Sequence, residues 1–147
     1  MQSRATRVPD LEATITLRDP LDAIPRTASG IDTPIQVERS GAVWGDQTLL
    51  MPADAIVSVN VIAVHVDGAI AYRIKLLAAD NSSMTSAWPV AAIPVTGRGE
   101  YQLTVDSDAL NARFPTGEVF LATAVEISGD AEPKINFGAW LAPGRRG

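Results

Sequence analysis

The chain has 147 residues, 46% of them hydrophobic and 20% charged, and its formal net charge is −5. A chain of this length buries about 68–70% of its unfolded surface around one core, and its composition is that of a globular rather than a disordered protein. The absence of cysteine excludes disulfides, thiolate metal sites and cysteine nucleophiles. The negative charge argues against nucleic-acid binding. Residues 1–9 lack the apolar stretch of a secretion signal, and the apolar segment 55–66 is too short to span a membrane.

The N-terminal forty residues differ in composition from the rest. Their apolar runs are short, and prolines occur at Pro9, Pro20, Pro25 and Pro34. This pattern predicts an extended N-terminal arm over residues 1–30, able to add a strand to a neighbour's sheet edge, followed by a domain over residues 31–147. In the alternative, which stays open, residues 12–17 and 34–38 are ordinary strands of the same domain.

Beyond the arm, a period of two predicts a mostly β protein. Apolar and polar side chains alternate in segments that begin at Ile70, Tyr101 and Ile135, so each is expected to bury one face. Residues 56–66 and 119–127 are apolar on both faces. We expect these two segments in the middle of a sheet, covered by a second sheet or by a neighbouring subunit.

Turn-forming residues separate the predicted strands. Asp67-Gly68 suits a tight turn and predicts a β-hairpin over residues 56–78. A short helical turn is expected at residues 106–111, capped by Ser107 or Asp108. Further turns are predicted at residues 80–83, 96–99, 115–117 and 128–130, with a hairpin loop at 96–99. This spacing predicts an all-β fold of the β-sandwich or jelly-roll class.

The sequence offers few groups for catalysis. His65, the only histidine, is placed inside a predicted strand, and no nucleophile or phosphate-loop motif is present. Aspartates fall in predicted turns, where they bond their own backbone: Asp67, Asp80, Asp106, Asp108 and Asp130. An enzyme would require Asp80 to converge with Asp106 or Asp108 in a deep pocket, and the same loops are a weak signal for calcium. We predict no enzyme activity, no cofactor and no metal site.

Tryptophan supports a binding role more directly. Trp140 alternates with Phe137 and Leu141, so it points outward if those two point inward. An outward tryptophan on a strand anchors an interface or a sugar, although packing beneath the arm is an equal alternative. A carbohydrate-binding or adhesin-like module would be favoured if Trp44, Trp88 and Trp140 lined one groove.

An ordered series of short segments resembles the capsid cement, or decoration, proteins of tailed bacteriophages. The resemblance covers roughly residues 30–142. Its segments are Asp32-Thr-Pro-Ile-Gln-Val37, Ala71-Tyr-Arg-Ile-Lys-Leu76, Ala79-Asp-Asn-Ser82, Gly97-Arg-Gly-Glu-Tyr-Gln-Leu103 and Pro133-Lys-Ile-Asn-Phe-Gly-Ala-Trp-Leu141. The chain departs from the family at residues 119–123, which lack the expected arginine, and over the first thirty residues, which match nothing.

The resemblance implies a β-sandwich or jelly-roll protomer that is trimeric and sits on the outside of the capsid shell, over threefold and quasi-threefold junctions. Its partners would be the major capsid protein and its own copies, with no nucleic acid and no membrane. The protein would be made in the host cytoplasm and end on the virion surface. Another virion or tail structural protein is a further alternative. Candidate interface residues, chosen by position, are Leu11, Ile15, Leu17, Tyr72, Arg73 and Trp140.

Overall fold

The structure, a computed structural model, describes residues 15–39, 43–44, 47–51, 53–129 and 131–143. Two antiparallel sheets pack against each other, which confirms the predicted all-β sandwich. The described strands are β1 Ile15–Arg18, β2 Gly30–Ile31, β3 Ile35–Val37, β4 Val43–Trp44, β5 Gln47–Thr48, β6 Ala55–Val64, β7 Ala71–Ala79, β8 Trp88–Val95, β9 Gly99–Val105, β10 Val119–Ser128 and β11 Ile135–Pro143. A single described helix, α1, spans Ser107–Arg113.

Sheet 1 has the strand order β1-β11-β6-β9, and sheet 2 has the order β2-β10-β7-β8 with β3 also paired to β10. Strands β4 and β5 form a separate pair. The core lies between the two sheets and contains the inward side chains of every long strand. Phe137, Ile74 and Leu76 are its largest fully buried members. The predicted alternation is confirmed on β7 and β9, because their inward residues are buried and the intervening ones are more exposed. On β11 residues 135–139 are all buried, so this strand is covered on both faces there.

The predicted hairpin over residues 56–78 is wrong. Strand β6 pairs with β9 and β11 in sheet 1, whereas β7 pairs with β8 and β10 in sheet 2. The turn itself forms, because Asp67 accepts hydrogen bonds from the backbone of Ala69 and Ile70. Residues 65–70 carry the chain across the gap of about 10 Å between stacked sheets. The turn-forming residues therefore predicted correctly that the chain turns here, but they did not predict which strands β6 and β7 pair with.

The predicted hairpin loop at residues 96–99 is wrong for the same reason. It joins β8 in sheet 2 to β9 in sheet 1. The Tyr101 hydroxyl stabilises the crossing, since it donates to the Gly97 carbonyl at 2.7 Å and accepts from the Thr96 and Gly97 amides at 3.2 Å. Tyr72 plays a similar part at the 65–70 connection, where its hydroxyl donates to the His65 carbonyl at 2.6 Å.

Strand β10 is buried on both faces over residues 121–125, as its composition predicts. Its outer face is covered within the chain by the loop of residues 80–87, which places the buried Met84 against Ala79 and Ala122. Strand β6 is different, because Ile56 and Ile62 remain about two-fifths exposed on the outer face of sheet 1.

Two smaller predictions need correction. The helix forms, but its N-cap is Asp106 rather than Ser107 or Asp108, and its carboxylate accepts from the amides of Asp108 and Ala109. His65 follows β6 instead of lying inside it, and its side chain is exposed.

The N-terminal segment joins the sandwich. Residues 15–18 pair with β11, and residues 35–37 pair with β10. For the described parts of the segments 12–17 and 34–38, the structure therefore favours ordinary strands of the domain, while residues 12–14 lie outside the described residues. The described residues before position 31 lie on the sandwich, and β2 spans the predicted boundary at residue 30.

Candidate functional site: a fixed apolar loop at one side of the sandwich

Strand β1 places a charged side chain in the protein interior. Arg18 is only 4% exposed, and its guanidinium carbon lies 4.4 Å from the centre of the Phe137 ring. Its Nη1 donates to the Asn136 side chain and to the Phe137 carbonyl, both at 2.6 Å. A buried charge is costly unless it is paired and hydrogen-bonded. Both Nη atoms of Arg18 are hydrogen-bonded, and the guanidinium is paired with a carboxylate.

The charge of Arg18 is balanced across the sandwich by Asp32, which directly follows β2. Arg18 Nε lies 3.2 Å from Asp32 Oδ2 in an ion pair that lacks hydrogen-bond alignment. Thr123 donates to the same oxygen at 2.7 Å. Arg26 donates to the other carboxylate oxygen from Nε at 3.0 Å and from Nη2 at 2.9 Å. The Asp32 carboxylate thus links sheet 1 to sheet 2 along the side of the sandwich that β1 and β2 form.

These charged groups also fix the segment between β1 and β2, residues 19–29, which we call the apolar loop. Arg18 Nη2 donates to the Ile24 carbonyl at 2.9 Å. The Asp19 side chain accepts from the Leu21 amide, and its carbonyl accepts from the next two amides. Farther along, Arg26 exchanges two backbone hydrogen bonds with Ile135. The loop therefore has many hydrogen bonds to itself and to the sandwich.

The fixed loop exposes large apolar side chains. Leu21 is 88% exposed and Ile24 is 83% exposed, and Ile31, which lines the same cleft as Ile24, is also exposed. Single exposed apolar residues are common, whereas several that lie close together are the kind of surface that protein–protein contacts use. Because the loop is already ordered, a partner would pay less conformational entropy to bind it.

A cleft of about 670 Å³ lies beneath this loop. Its lining includes Arg18, Asp22, Arg26 and Asp32, together with the Ile24 and Pro25 side of the loop. The arginines and Asp32 bond mainly to one another and to backbone carbonyls. This arrangement suits a structural clamp that holds the loop, rather than a set of groups aimed at a substrate.

The structure separates the residues predicted to make contacts. Leu11 lies outside the described residues. Leu17 and Tyr72 are buried in the core, so little of either side chain can reach a partner protein. Ile15 is exposed at the β1 edge beside the apolar loop. Arg73 is exposed on the outer face of sheet 2, where its backbone lies opposite that of Glu126 on β10.

Trp140 lies on the outer face of sheet 1 and is partly buried. A Cβ at Gly138 would meet its ring at 2.5 Å and Pro20 at 2.9 Å, so the ring lies across Gly138 near Pro20. Trp140 therefore both packs near the start of the apolar loop and keeps an exposed part. The other tryptophan with a described side chain, Trp88, is in sheet 2 and packs edge-on against Phe114. These two tryptophans do not share a groove.

Sequence reasoning missed Leu21 and Ile24, the most exposed apolar residues of the site. The available signal was their position between Pro20 and Pro25, since apolar residues in a proline-bounded loop have no strand or helix to bury them. Sequence reasoning also missed the clamp of Arg18 and Asp32, because two charged residues separated along the chain by an irregular loop form no local pattern.

The arrangements that would support other kinds of site are not found in the described part of the chain. Asp106 caps α1, and neither described cavity contains Asp80, Asp106 or Asp108. Within the described ranges, no three His, Asp or Glu side chains are grouped to hold a metal ion, and no helix there is long and apolar enough to cross a membrane. Comparisons of the chain with protein-family models, curated proteins and solved structures found no match.

Proposed function

We propose that this protein is a capsid cement, or decoration, protein of a tailed bacteriophage. It has no enzymatic role, binds the outside of the shell between capsomers and stabilises the shell against the pressure of packaged DNA. The observation that carries the proposal is the apolar loop, whose Leu21 and Ile24 are exposed while its backbone is held by Arg18. A protein that acts by adhesion needs such a preorganised contact surface and no catalytic group.

The connectivity of the strands supports the jelly-roll form of this fold. Between β6 and β11 the chain crosses from one sheet to the other at β6–β7, β8–β9, β9–β10 and β10–β11, and the pair β7–β8 forms the one hairpin of this described stretch. Two packed antiparallel sheets, here of four and five strands, that are joined by such crossings are typical of jelly rolls, which are common in viral capsid proteins. The segments that resemble the cement family fall on β3, β7, β9 and β11.

A homotrimer bound to the major capsid protein would place several copies of the loop on the shell. Three linked copies bind by avidity, so each contact can be modest while the whole rarely detaches. The outer face of sheet 1, with Ile56, Ile62 and part of Trp140 exposed, is the surface that we propose for contacts between the three copies. A cyclic assembly would cover this face without leaving a free apolar surface.

Co-sedimentation with isolated phage shells tests the proposal. The double variant Leu21→Ser/Ile24→Ser should bind shells at least about 30-fold more weakly, since truncating an interface hot spot costs about 2 kcal/mol or more. The matched control is Val66→Ser, which changes another well-exposed apolar residue in the 65–70 connection. The control should bind like the wild type. Failure of the wild-type protein to sediment with shells, or equal binding by the double variant, would contradict the proposal.

Truncation tests the contribution of the N-terminal arm, including Leu11. A deletion of residues 1–30 would remove β1 and Arg18 from the sandwich, so the informative deletion is residues 1–14. If the arm grips the shell or a sister subunit, this deletion should weaken shell binding and leave the thermal unfolding of the domain unchanged. Full shell binding by the truncated protein would show that the deleted residues do not contribute to binding.

A further inference from the structure

In the described part of the chain the two sheets have four edges, and three of these edges are protected against pairing with another chain. Strand β8 carries Pro89 and Pro94, which lack the amide needed for a further ladder. Strand β1 has four residues with an irregular register at Thr16/Arg18. The edge formed by β2 and β3 is interrupted between Ile31 and Ile35. Short strands, prolines and bulges are the usual devices that prevent edge-to-edge association.

Strand β9 has none of these devices. It runs for seven residues without proline and, among the described residues, pairs only with β6. Its exposed side chains are polar, and only Glu100 is charged. An uninterrupted edge of this length is a template for another strand.

The hydrogen-bond pattern of sheet 1 determines which backbone groups of β9 point away from β6. Ile135 exchanges both its backbone hydrogen bonds with Arg26, on the side of β11 away from β6. Alternate residues of a strand bond to opposite neighbours. Even-numbered residues of β11 and of their partners on β6 therefore bond to each other, and odd-numbered residues of β6 bond to β9. The amides and carbonyls of Glu100, Gln102 and Thr104 consequently face outward at the edge.

We infer that β9 pairs antiparallel with β9 of a second copy, about a twofold axis at Gln102. In this register Gln102 faces its own counterpart and Glu100 faces Thr104. Arg98, just before the strand, faces Asp106, just after the strand, of the other copy. The twofold axis generates this ion pair twice, once at each end of the contact. Both side chains are exposed in the single chain.

Charge selects this register over its neighbours. A shift that centres the axis on Leu103 would bring Glu100 opposite Asp106, which places like charges together. A shift that centres it on Tyr101 would bring Arg98 opposite Thr104 and remove both ion pairs. The chosen pairing joins two four-stranded sheets into one of eight strands. It uses the side of sheet 1 opposite β1, so it is independent of the apolar loop and of shell binding.

Cysteine cross-linking tests the inference directly, because the natural chain has no cysteine. Directly opposed Cα atoms in a hydrogen-bonded antiparallel pair are about 5.5 Å apart, which is within the range of a disulfide. Gln102→Cys should form covalent dimers under mild oxidation at micromolar concentration, read on a denaturing gel. Ala92→Cys, on the proline-protected β8, is the matched control and should remain largely uncross-linked. Equal cross-linking of the two variants would overturn the inference.

A second variant avoids the cysteine chemistry. Gln102→Pro removes an outward amide while leaving the bonds to β6 in place, and it should lower the β9-mediated association constant at least tenfold in sedimentation velocity. Gln102→Thr keeps the amide and should associate like the wild type. Arg98→Asp should weaken association more at low salt than at high salt. An unchanged association constant for Gln102→Pro would overturn the inference, whereas its shell binding through the apolar loop should persist either way.

Discussion

The two long sides of the sandwich are closed in opposite ways. On the β1 and β2 side, buried charges join the sheets through Arg18 and Asp32, and apolar side chains such as Leu21 face solvent. On the β8 and β9 side, the chain itself crosses between the sheets at residues 96–98, and polar side chains such as Gln102 face solvent. The usual arrangement of apolar residues inside and polar residues outside is thus locally reversed on the first side.

This difference has a physical explanation. On the β8 and β9 side the chain itself connects the two sheets directly, so a single hydroxyl is enough to hold the turn. The first side has no short connection between β1 and β2, and the intervening loop must be fixed by noncovalent bonds. Charge-assisted hydrogen bonds are directional and roughly twice as strong as neutral ones, so they fix a loop better than apolar packing does. The apolar side chains of that loop are then left for another surface.

The largest expected effect comes from breaking the charged closure. Asp32→Ala removes the one carboxylate that pairs with Arg18 among the described residues and should lower the free energy of unfolding by about 3–5 kcal/mol, because it leaves a buried charge unpaired. Urea unfolding followed by fluorescence would measure the change. The matched control is Glu126→Gln, which breaks the exposed pair with Lys75 and should cost about 1 kcal/mol or less. Similar losses for the two variants would show that the buried pair does not hold this side of the sandwich.

The next largest effect is expected at the β10–β11 connection, where the backbone packs tightly against the 65–70 connection. Gly129 has a φ of 101°, and a Cβ there would overlap the carbonyl oxygen of Ala69 in the 65–70 connection. Gly129→Ala should therefore destabilise the protein by more than the 1–2 kcal/mol or so that a left-handed conformation alone costs. Gly117 has a φ of 86° but no atom within 4 Å of the same position. Gly117→Ala isolates the conformational cost, so a thermal unfolding midpoint equal to that of Gly129→Ala would exclude the overlap.

Local patterns predicted the strands well and their partners poorly. The alternation around Ile74 and Leu103 was sufficient to predict which residues are buried, because a strand has a period of two wherever one face is covered. The same pattern cannot distinguish a hairpin from a crossing between sheets, since both strands then bury one face in the same core. The Asp67 turn therefore appeared as a hairpin, although β6 and β7 lie in different sheets.

The candidate site was harder to predict for a related reason. Arg18 and Asp32 are separated by a loop without periodic structure, and nothing local indicates that two charged residues will meet inside the protein. Trp140 was predicted correctly to lie on the outer face, because Phe137 and Leu141 fix the inward direction of β11. Tyr72 shows the limit of that reasoning, because a residue chosen as a contact is buried and serves to close the 65–70 connection.

The smallest expected effect concerns the covalently joined side. Tyr101→Phe removes a hydroxyl that bonds the backbone of Thr96 and Gly97 and should cost about 1 kcal/mol, since these groups can turn to water when the hydroxyl is lost. Tyr72→Phe provides the matched comparison, because that hydroxyl is buried and serves the His65 carbonyl and the Lys134 amide. It should cost more, about 1–3 kcal/mol, as buried groups are left unsatisfied. Urea unfolding would contradict this if Tyr101→Phe lowered the free energy of unfolding as much as Asp32→Ala. In that case the hydroxyl, and not the chain crossing, would hold the second side, and the two sides would not differ in the way described.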